Sequence, residues 1–460
     1  MRDLAGELDV TWVMLGAVLV LFMQAGFLFL EIGFSRRKSV GSGVAKIFVN
    51  LGIASLAWWA VGFGISSASG NSLFGTEGFF FHIGQSVGGV EMGSADAAGM
   101  LFGMLFCAVS LAIVWGTTLE RIKFSAYVVF AIIFAAIIYP LVAHSVYGGG
   151  FLADIGGKPV MDFAGSSVVH LTGAVAGLAA VLLLGPRLGK YTDDGSVKMI
   201  PGHSMPLIGL GVLILWVGWY GFNAGSTFGT EGNFMADVAL NTQLAAAAGV
   251  VAALVTIWAK RRVVDVSMVA NGAIAGLVSI TAPAGFVDFW AAPIIGAVGG
   301  VIVVYGVIKI DEMGIDDPVG ALSAHGLAGI WGTLAVGLLA APALVADGAS
   351  AGLWYGVFGD QELSGTLGQL GVQAIGVAAT FIGVFVLSYI TFAILKATIG
   401  IRVSEEEELA GLDVSSHGIY GYPEYFADSI PGDEGLEDAA VRDPYLAPGT
   451  GAPTGTAPPH

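Results

Sequence analysis

The sequence predicts an all-α integral membrane protein, on three observations. Of its 460 residues 55% are hydrophobic and only 12% are charged, and the mean hydropathy of +0.81 lies far above that of soluble domains. The apolar runs are commonly 18 to 24 residues long, enough for a helix to cross a hydrocarbon core about 30 Å thick. The basic residues alternate with those runs as they do in a polytopic protein.

Eleven spans are expected, at about 10–34, 44–66, 98–118, 124–144, 164–185, 207–225, 239–259, 266–283, 289–308, 322–341 and 372–396. In lipid each must be helical, because a helix satisfies its own backbone polar groups. Arg36, Arg37, Lys38 and Lys46 follow the first span; Arg121 and Lys123 follow the third; Arg187, Lys190 and Lys198 follow the fifth. Lys260, Arg261 and Arg262 follow the seventh, Lys309 the ninth, and Lys396 with Arg402 the eleventh, so 15 of 18 basic residues lie after odd-numbered spans. Positive loops stay in the cytoplasm, which puts the N-terminus outside and the C-terminus inside. The opening "MRDLAGELDV" is acidic rather than basic and is read as no cleaved signal peptide.

Eleven spans divide as five plus five plus one, and a repeat of five must insert in opposite orientations, an arrangement in which a transport pathway lies between the halves. "VVHLTGAVAG" in the fifth span and "SAHGLAGIWG" in the tenth each place a histidine before a small-residue helix. Small residues four apart, such as Gly173 and Gly177, Gly221 and Gly225, Gly272 and Gly276, and Gly296 and Gly300, let helix backbones approach closely. Residues 1–400 form the expected membrane domain. Residues 401–460 change to "RVSEEEELAGLDVSSHGIYGYPEYFADSIPGDEGLEDAAVRD" and a Pro/Gly/Thr-rich end, an acidic cytoplasmic tail expected to form no core and to be disordered from about 430. The net charge of −17 argues against nucleic acid and suggests a high-salt cytoplasm. Cys107 is the only cysteine, which excludes intrachain disulfides and cysteine-based metal sites.

Ionisable residues at membrane depth are costly and point to function. They are Glu31, Asp162, His170 and His325, with His144 near an outer end. His170 and His325 sit among small residues at matching places in the two halves, and either line a pore or are buried rings bonded to backbone. A dry setting favours the uncharged imidazole, and a neutral pair can share one hydrogen along a narrow path. No carboxylate lies three or four residues from either ring and no HExxH occurs, so a metal or hydrolase site has no support. Asp162 precedes His170 by eight residues, about 12 Å of helix rise. That is too far for a direct bond; it caps the fifth span or holds a cation at its mouth. Glu31 is expected to pair with the basic cluster at Arg36. Phe102, Phe106, Tyr139, Tyr147 and the run "WVGWYGFNAGS" supply aromatic faces that attract a cation or plug a pore.

"LERIKFSAYVVF", "DFAGSSVVHLTGAVAGL", "WVGWYGFNAGS", "ANGAIAGLVSITAPAGFV", "DDPVGALSAHGLAGIWGTL" and "GIRVSEEEELAGLDVSSHG", in this order over about residues 10–420, resemble the ammonium transporter family, relatives of the Rhesus glycoproteins. The resemblance implies a multi-pass protein of the cell membrane, without enzymatic activity or cofactor. It also implies a pseudo-twofold between helices 1–5 and 6–10, and a homotrimer with one pore per subunit. His170 and His325 match the twin pore histidines, Asp162 the aspartate that organises the outer site, Phe106 and Phe222 the stacked gate, and Ser226 the serine that binds ammonium. Tyr147 stands where the family usually has tryptophan, three residues further from Asp162 than is usual, and presents a weaker π face. The tail shows "HGIYGY" where a glutamate commonly follows the glycine; in the family it couples subunits and accompanies inhibition by a PII-type nitrogen regulator. Two alternatives to ammonium transport are an ammonium sensor signalling through its tail and a Rhesus-like neutral gas channel. Methylammonium is the expected analogue substrate.

Overall fold

The computed structural model describes residues 4–422. The end of the tail, including the stretch expected to be disordered from about 430, lies outside them. Among the described residues ten helices are long and apolar enough to span: α1 Leu4–Phe34, α2 Arg37–Ser66, α3 Ser94–Thr117, α4 Phe124–Tyr147, α5 Ser166–Leu184, α6 Met205–Thr227, α7 Glu231–Arg261, α9 Ala291–Glu312, α10 Leu322–Leu339 and α11 Leu363–Thr398. The remaining expected span, the eighth, is α8, Val266–Thr281, apolar but only 16 residues long. Among the described residues the only paired strands are the two-residue Ser86–Val87 and Val90–Glu91, in an exposed loop.

Several helices overrun the apolar windows expected for them. α11 begins at Leu363 and α7 ends at Arg261, because a helix holds its own hydrogen bonds well past the last lipid-facing residue. Packing follows the small residues. A side chain at Gly296 or Gly276 would run into the Ala245 carbonyl, and one at Gly249 into that of Gly272, so α7, α8 and α9 touch backbone to backbone. α1 crosses α6 in the same way at Gly26, Gly211 and Gly218, against Leu215, Leu30 and Met23.

The loops after α1, α3, α5 and α9 meet on one face. Arg36 pairs with Glu120 at 2.6 Å, and Arg187 grips Asp316 through Nε at 2.8 Å and Nη2 at 2.9 Å. Arg121 donates to the carbonyls of Gly185 and Asp316, both at 2.8 Å. Burial by itself would raise the Asp316 carboxyl, but the Arg187 hydrogen bonds and the charges of Arg121 and Arg187 hold it well below the usual carboxylate range.

The tail joins this cluster. Val403 bonds the Arg121 carbonyl at 3.1 Å, Arg402 pairs with Glu408 at 2.7 Å, and the Glu408 carboxylate accepts the Leu188 N–H at 2.7 Å. Two short helices follow, α12 Glu405–Ala410 and α13 Leu412–His417. Asp413 then accepts the Ser42 N–H near the start of α2, at 2.9 Å. Ile401, Leu412 and Glu408 are buried. The early tail needs no core of its own because it borrows one from the loops beneath it.

Candidate functional site

Three of the expected site residues lie in π-helical turns, the wider i→i+5 geometry that re-aims side chains within a helix. His170 is in Ser166–Leu171, Phe222 in Tyr220–Ala224 and His325 in Leu322–Leu327. The widened turns aim their rings at one another. Phe106 on α3 stacks on Phe222 at 3.9 Å between centroids and 7° between planes. Phe222 lies 5.3 Å from His170, and His170 5.3 Å from His325. The Nδ1 atoms of the two histidines are 3.3 Å apart. One hydrogen fills that gap, so one Nδ1 donates and the other accepts; of the two outer Nε2 atoms, one is then a donor and the other an acceptor.

The row extends at both ends. Phe102 sits 4.5 Å from Phe106 and 5.3 Å from Phe228, an exposed ring on a left-handed residue (φ 53°). Gly225 leaves room for it: a β-carbon there would lie 3.0 Å from the Phe102 ring. Beyond the histidines, Phe27 of α1 lies 6.2 Å from His325. Trp219 stacks on His170 at 5.1 Å and is fixed by its own bond to Thr281 Oγ1, 2.9 Å long. Trp219 precedes Phe222 by three residues, and Phe102 precedes Phe106 by four, the spacings that share a helix face. Sequence reasoning quoted Trp219 without a role and passed over Phe27 and Phe228.

Asp162 is buried and accepts four backbone N–H groups, from Gly165, Ser166, Ser167 and Val168, at 2.8 to 3.0 Å. Gly165 has φ +112°, which turns the chain into the helix where a side chain would be strained. Asp162 is the cap that frees α5 to start beside the pore. Its segment is pinned by the Gln373 amide, which bridges both backbone groups of Met161. Ser110 Oγ holds the Val169 carbonyl at 2.8 Å, fixing α3 against the histidine's turn.

Ser226 donates its hydroxyl hydrogen to the Phe222 carbonyl at 2.7 Å, which leaves its oxygen lone pairs free to accept. Tyr147 ends α4 half-exposed and, among the described residues, forms no ring contact with Phe106. His144 is away from the row: its two ring nitrogens face the carbonyls of Ser67 and Asn71 at 2.8 and 2.7 Å, tying down the loop after α2. The expected pairing of Glu31 with the basic cluster does not form, because Arg36 is taken by Glu120 and Glu31 is buried in the helix bundle.

One site residue escaped notice altogether. Asp317 accepts from Gly320 at 3.1 Å and Leu322 at 2.7 Å at the start of α10, and Gly320 has φ +78°. The pattern D-x-x-G-x4-H therefore occurs twice, as "DFAGSSVVH" and "DPVGALSAH", once before each histidine. Burial pushes the Asp317 carboxyl up to about 6 despite the backbone donors of Leu322 and Ala321.

The stacked Phe106 and Phe222 rings lead to the facing His170 and His325, and each histidine follows, eight residues on, an aspartate that accepts backbone N–H groups of its own turn. A profile of the Ammonium Transporter Family matches residues 11–422. The chain belongs to that family. It is 41% identical over 433 residues to ammonium transporter Amt2 of Archaeoglobus fulgidus, covering 91% of this chain and 88% of that one. It is 36% identical to ammonium transporter Amt1 of Haloferax mediterranei, covering 95% and 84%. A solved structure titled sensor Amt protein superposes with a TM-score of 0.82 at 33% identity, over 91% of this chain and all of that one. Family membership makes this a multi-pass membrane protein, with α1 and α6 starting the two halves that carry the histidines on α5 and α10.

Proposed function

We propose that this protein is an ammonium transporter whose pore runs along the ring row. The observation that carries the reading is the 3.9 Å Phe106–Phe222 stack directly followed by the His170–His325 pair. Ammonium is captured at the mouth by the free lone pairs of Ser226 and the faces of Phe106 and Tyr147, where cation–π attraction is worth about 0.5–2 kcal/mol depending on desolvation. Asp162 does not touch the cation, since its oxygens are filled by backbone donors; it fixes the turn that carries His170. Passing the intact cation through a dry pore carries a large desolvation penalty. Deprotonation at the mouth therefore precedes passage, the proton going to water there or following through His170 and His325, and ammonia moves beyond the gate when Phe106 and Phe222 swing apart. The histidines supply one donor and one acceptor along the way.

The charge pattern supports an outside N-terminus, with the ion-paired face and tail in the cytoplasm. The docked tail and the basic loops beneath it form the surface a PII-type regulator would grip, and a homotrimer is part of the same proposal. The sensor reading has a structural neighbour of that title, and the gas-channel reading keeps the same pore.

The test is an ammonium jump on purified protein in sealed liposomes, with current and internal pH recorded together beside an empty-liposome control. Saturating current is expected for net cation transport, and internal alkalinisation without current for an ammonia channel. Neither signal, despite measurable ammonium binding, would overturn transport in favour of a sensor. Competition by methylammonium separates the ammonium branch from a neutral gas channel.

A further inference from the structure

Among the buried ionisable groups of the bundle that the transport path above does not use is Glu31. It lies one helical turn beyond Phe27, the ring that packs on His325, on the side away from the phenylalanine gate. A second measure agrees. Ser110 of α3 is level with the His170 turn through its bond to Val169, and Glu31 Oε1 lies 3.8 Å from where a Gly116 β-carbon would be. Gly116 is six residues further along the same helix, about 9 Å. The carboxyl thus sits on the pore's far side from the gate, about one to two turns past the histidines.

Glu31 is 1% exposed, and neither carboxyl oxygen has a hydrogen-bond partner within the protein. Buried carboxylates are ordinarily held by several donors, as Asp162 is by four. The charged groups facing it are Lys46 of α2, itself 1% exposed and not in contact as an ion pair, with Glu120 and Arg121 behind Lys46. Lys46 is fixed in the bundle by its backbone, whose carbonyl accepts the Tyr127 hydroxyl. A carboxyl so placed stabilises a charge in its neighbourhood but is not committed to any fixed donor.

We propose that Glu31 is the proton-exchange group at the far end of the pore, taking the proton that His170 and His325 relay and giving it to the emerging ammonia. The inference rests on the transport reading. In the first transfer a histidine N–H bond breaks and an O–H bond forms on the carboxylate, through water. In the second that O–H bond breaks as the ammonia lone pair takes the proton. Ammonium leaves, and the carboxylate is left charged with Lys46 as its counter-charge.

The experiment compares wild type, Glu31→Gln and Glu31→Asp in sealed liposomes. Ammonium-evoked current and internal pH are read together, and infrared difference spectra are taken after an ammonium jump. Glu31→Gln keeps the shape and removes the titration, so its current is expected to fall at least tenfold. Glu31→Asp should recover to within threefold of wild type. The wild-type spectrum should show a protonated-carboxyl band that changes on the jump and is missing from Glu31→Gln. If wild type gives neither current nor alkalinisation, the transport reading itself fails. If it alkalinises without current, transport stands and this inference falls. Wild-type current in Glu31→Gln, or current lost in both variants with the band unchanged, also overturns it. Should Glu31→Gln fail to fold, the wild-type spectrum decides alone, and a jump that leaves its carboxyl band unmoved overturns the assignment.

Discussion

The two half-sites share one plan and differ in their surroundings. Each has an aspartate, a left-handed glycine three residues on, a π-helical turn and a histidine eight residues from the aspartate. Around the first, Asp162 has four backbone donors, and His170, whose Nε2 has no hydrogen-bond partner within the protein, is fully buried between Trp219 and Phe222. Around the second, Asp317 accepts from the backbone of Gly320 and Leu322, its neighbour Asp316 is locked to Arg187, and His325 has Phe27 as its aromatic neighbour besides His170. The same backbone device thus serves a closed aromatic filter at one end. At the other it is wired through Asp316 and Arg187 to the loops that hold the tail. A motif of this kind sets where a histidine stands, and its neighbours set what it answers to.

The comparison can be broken most sharply at the rings themselves. Replacing His170 or His325 by alanine is expected to abolish ammonium-driven current in liposomes, at least a hundredfold, if the pair relays protons; a fully retained current would remove that role from both half-sites. Next come the caps. Asp162→Ala strands four donors, each costing about 1–3 kcal/mol when buried and unmet, and should lower the melting temperature in detergent far more than Asp317→Ala. Equal losses would mean that the half-sites are equivalent after all.

The ion-paired surroundings of the second half-site predict a pH response. Asp316 titrates lower in the folded protein than in the unfolded chain, so the stability it contributes is present above the unfolded value near 4. It is lost as the pH falls through the lower, folded value. Asp316→Asn should cost about 3 kcal/mol at pH 7 by taking the hydrogen-bonded counter-charge from Arg187 and the buried one from Arg121. Melting curves between pH 3 and 7 should begin to draw together below about pH 4, with full convergence only below the folded value, and a constant gap would refute the assignment. The smallest effect concerns the mouth. Tyr147→Trp enlarges the π face and should lower the half-saturating ammonium concentration about two- to fivefold, for about 0.5–1 kcal/mol of cation–π gain; no change would place Tyr147 outside the capture site.

Much of this was legible in the chain. The apolar windows found every long helix, because lipid leaves a spanning segment no other way to satisfy its backbone. The histidines stood out because ionisable rings in such windows are rare. Asp317 was equally legible in D-x-x-G-x4-H, and was missed because the halves were aligned on the residues after each histidine rather than before. Lys46 was counted with the basic loops, yet it lies on α2 and is buried, since charge and chain position do not tell which face of a helix a residue takes. The early tail looked too acidic to fold, and only its contacts with Arg121, Leu188 and Ser42 reveal the surface that orders it.

By itself the sequence determined the membrane class, the rhythm of the helices, the segregation of basic loops and the twin histidines, all properties set by local composition and spacing. Tertiary structure alone decided that Phe106 faces Phe222, that the two Nδ1 atoms meet, and that Arg36 takes Glu120 and leaves Glu31 unpartnered. Those outcomes depend on the angles at which helices cross and on which small residues let backbones touch. Such angles are fixed by contacts between segments far apart in the chain, which no local window contains.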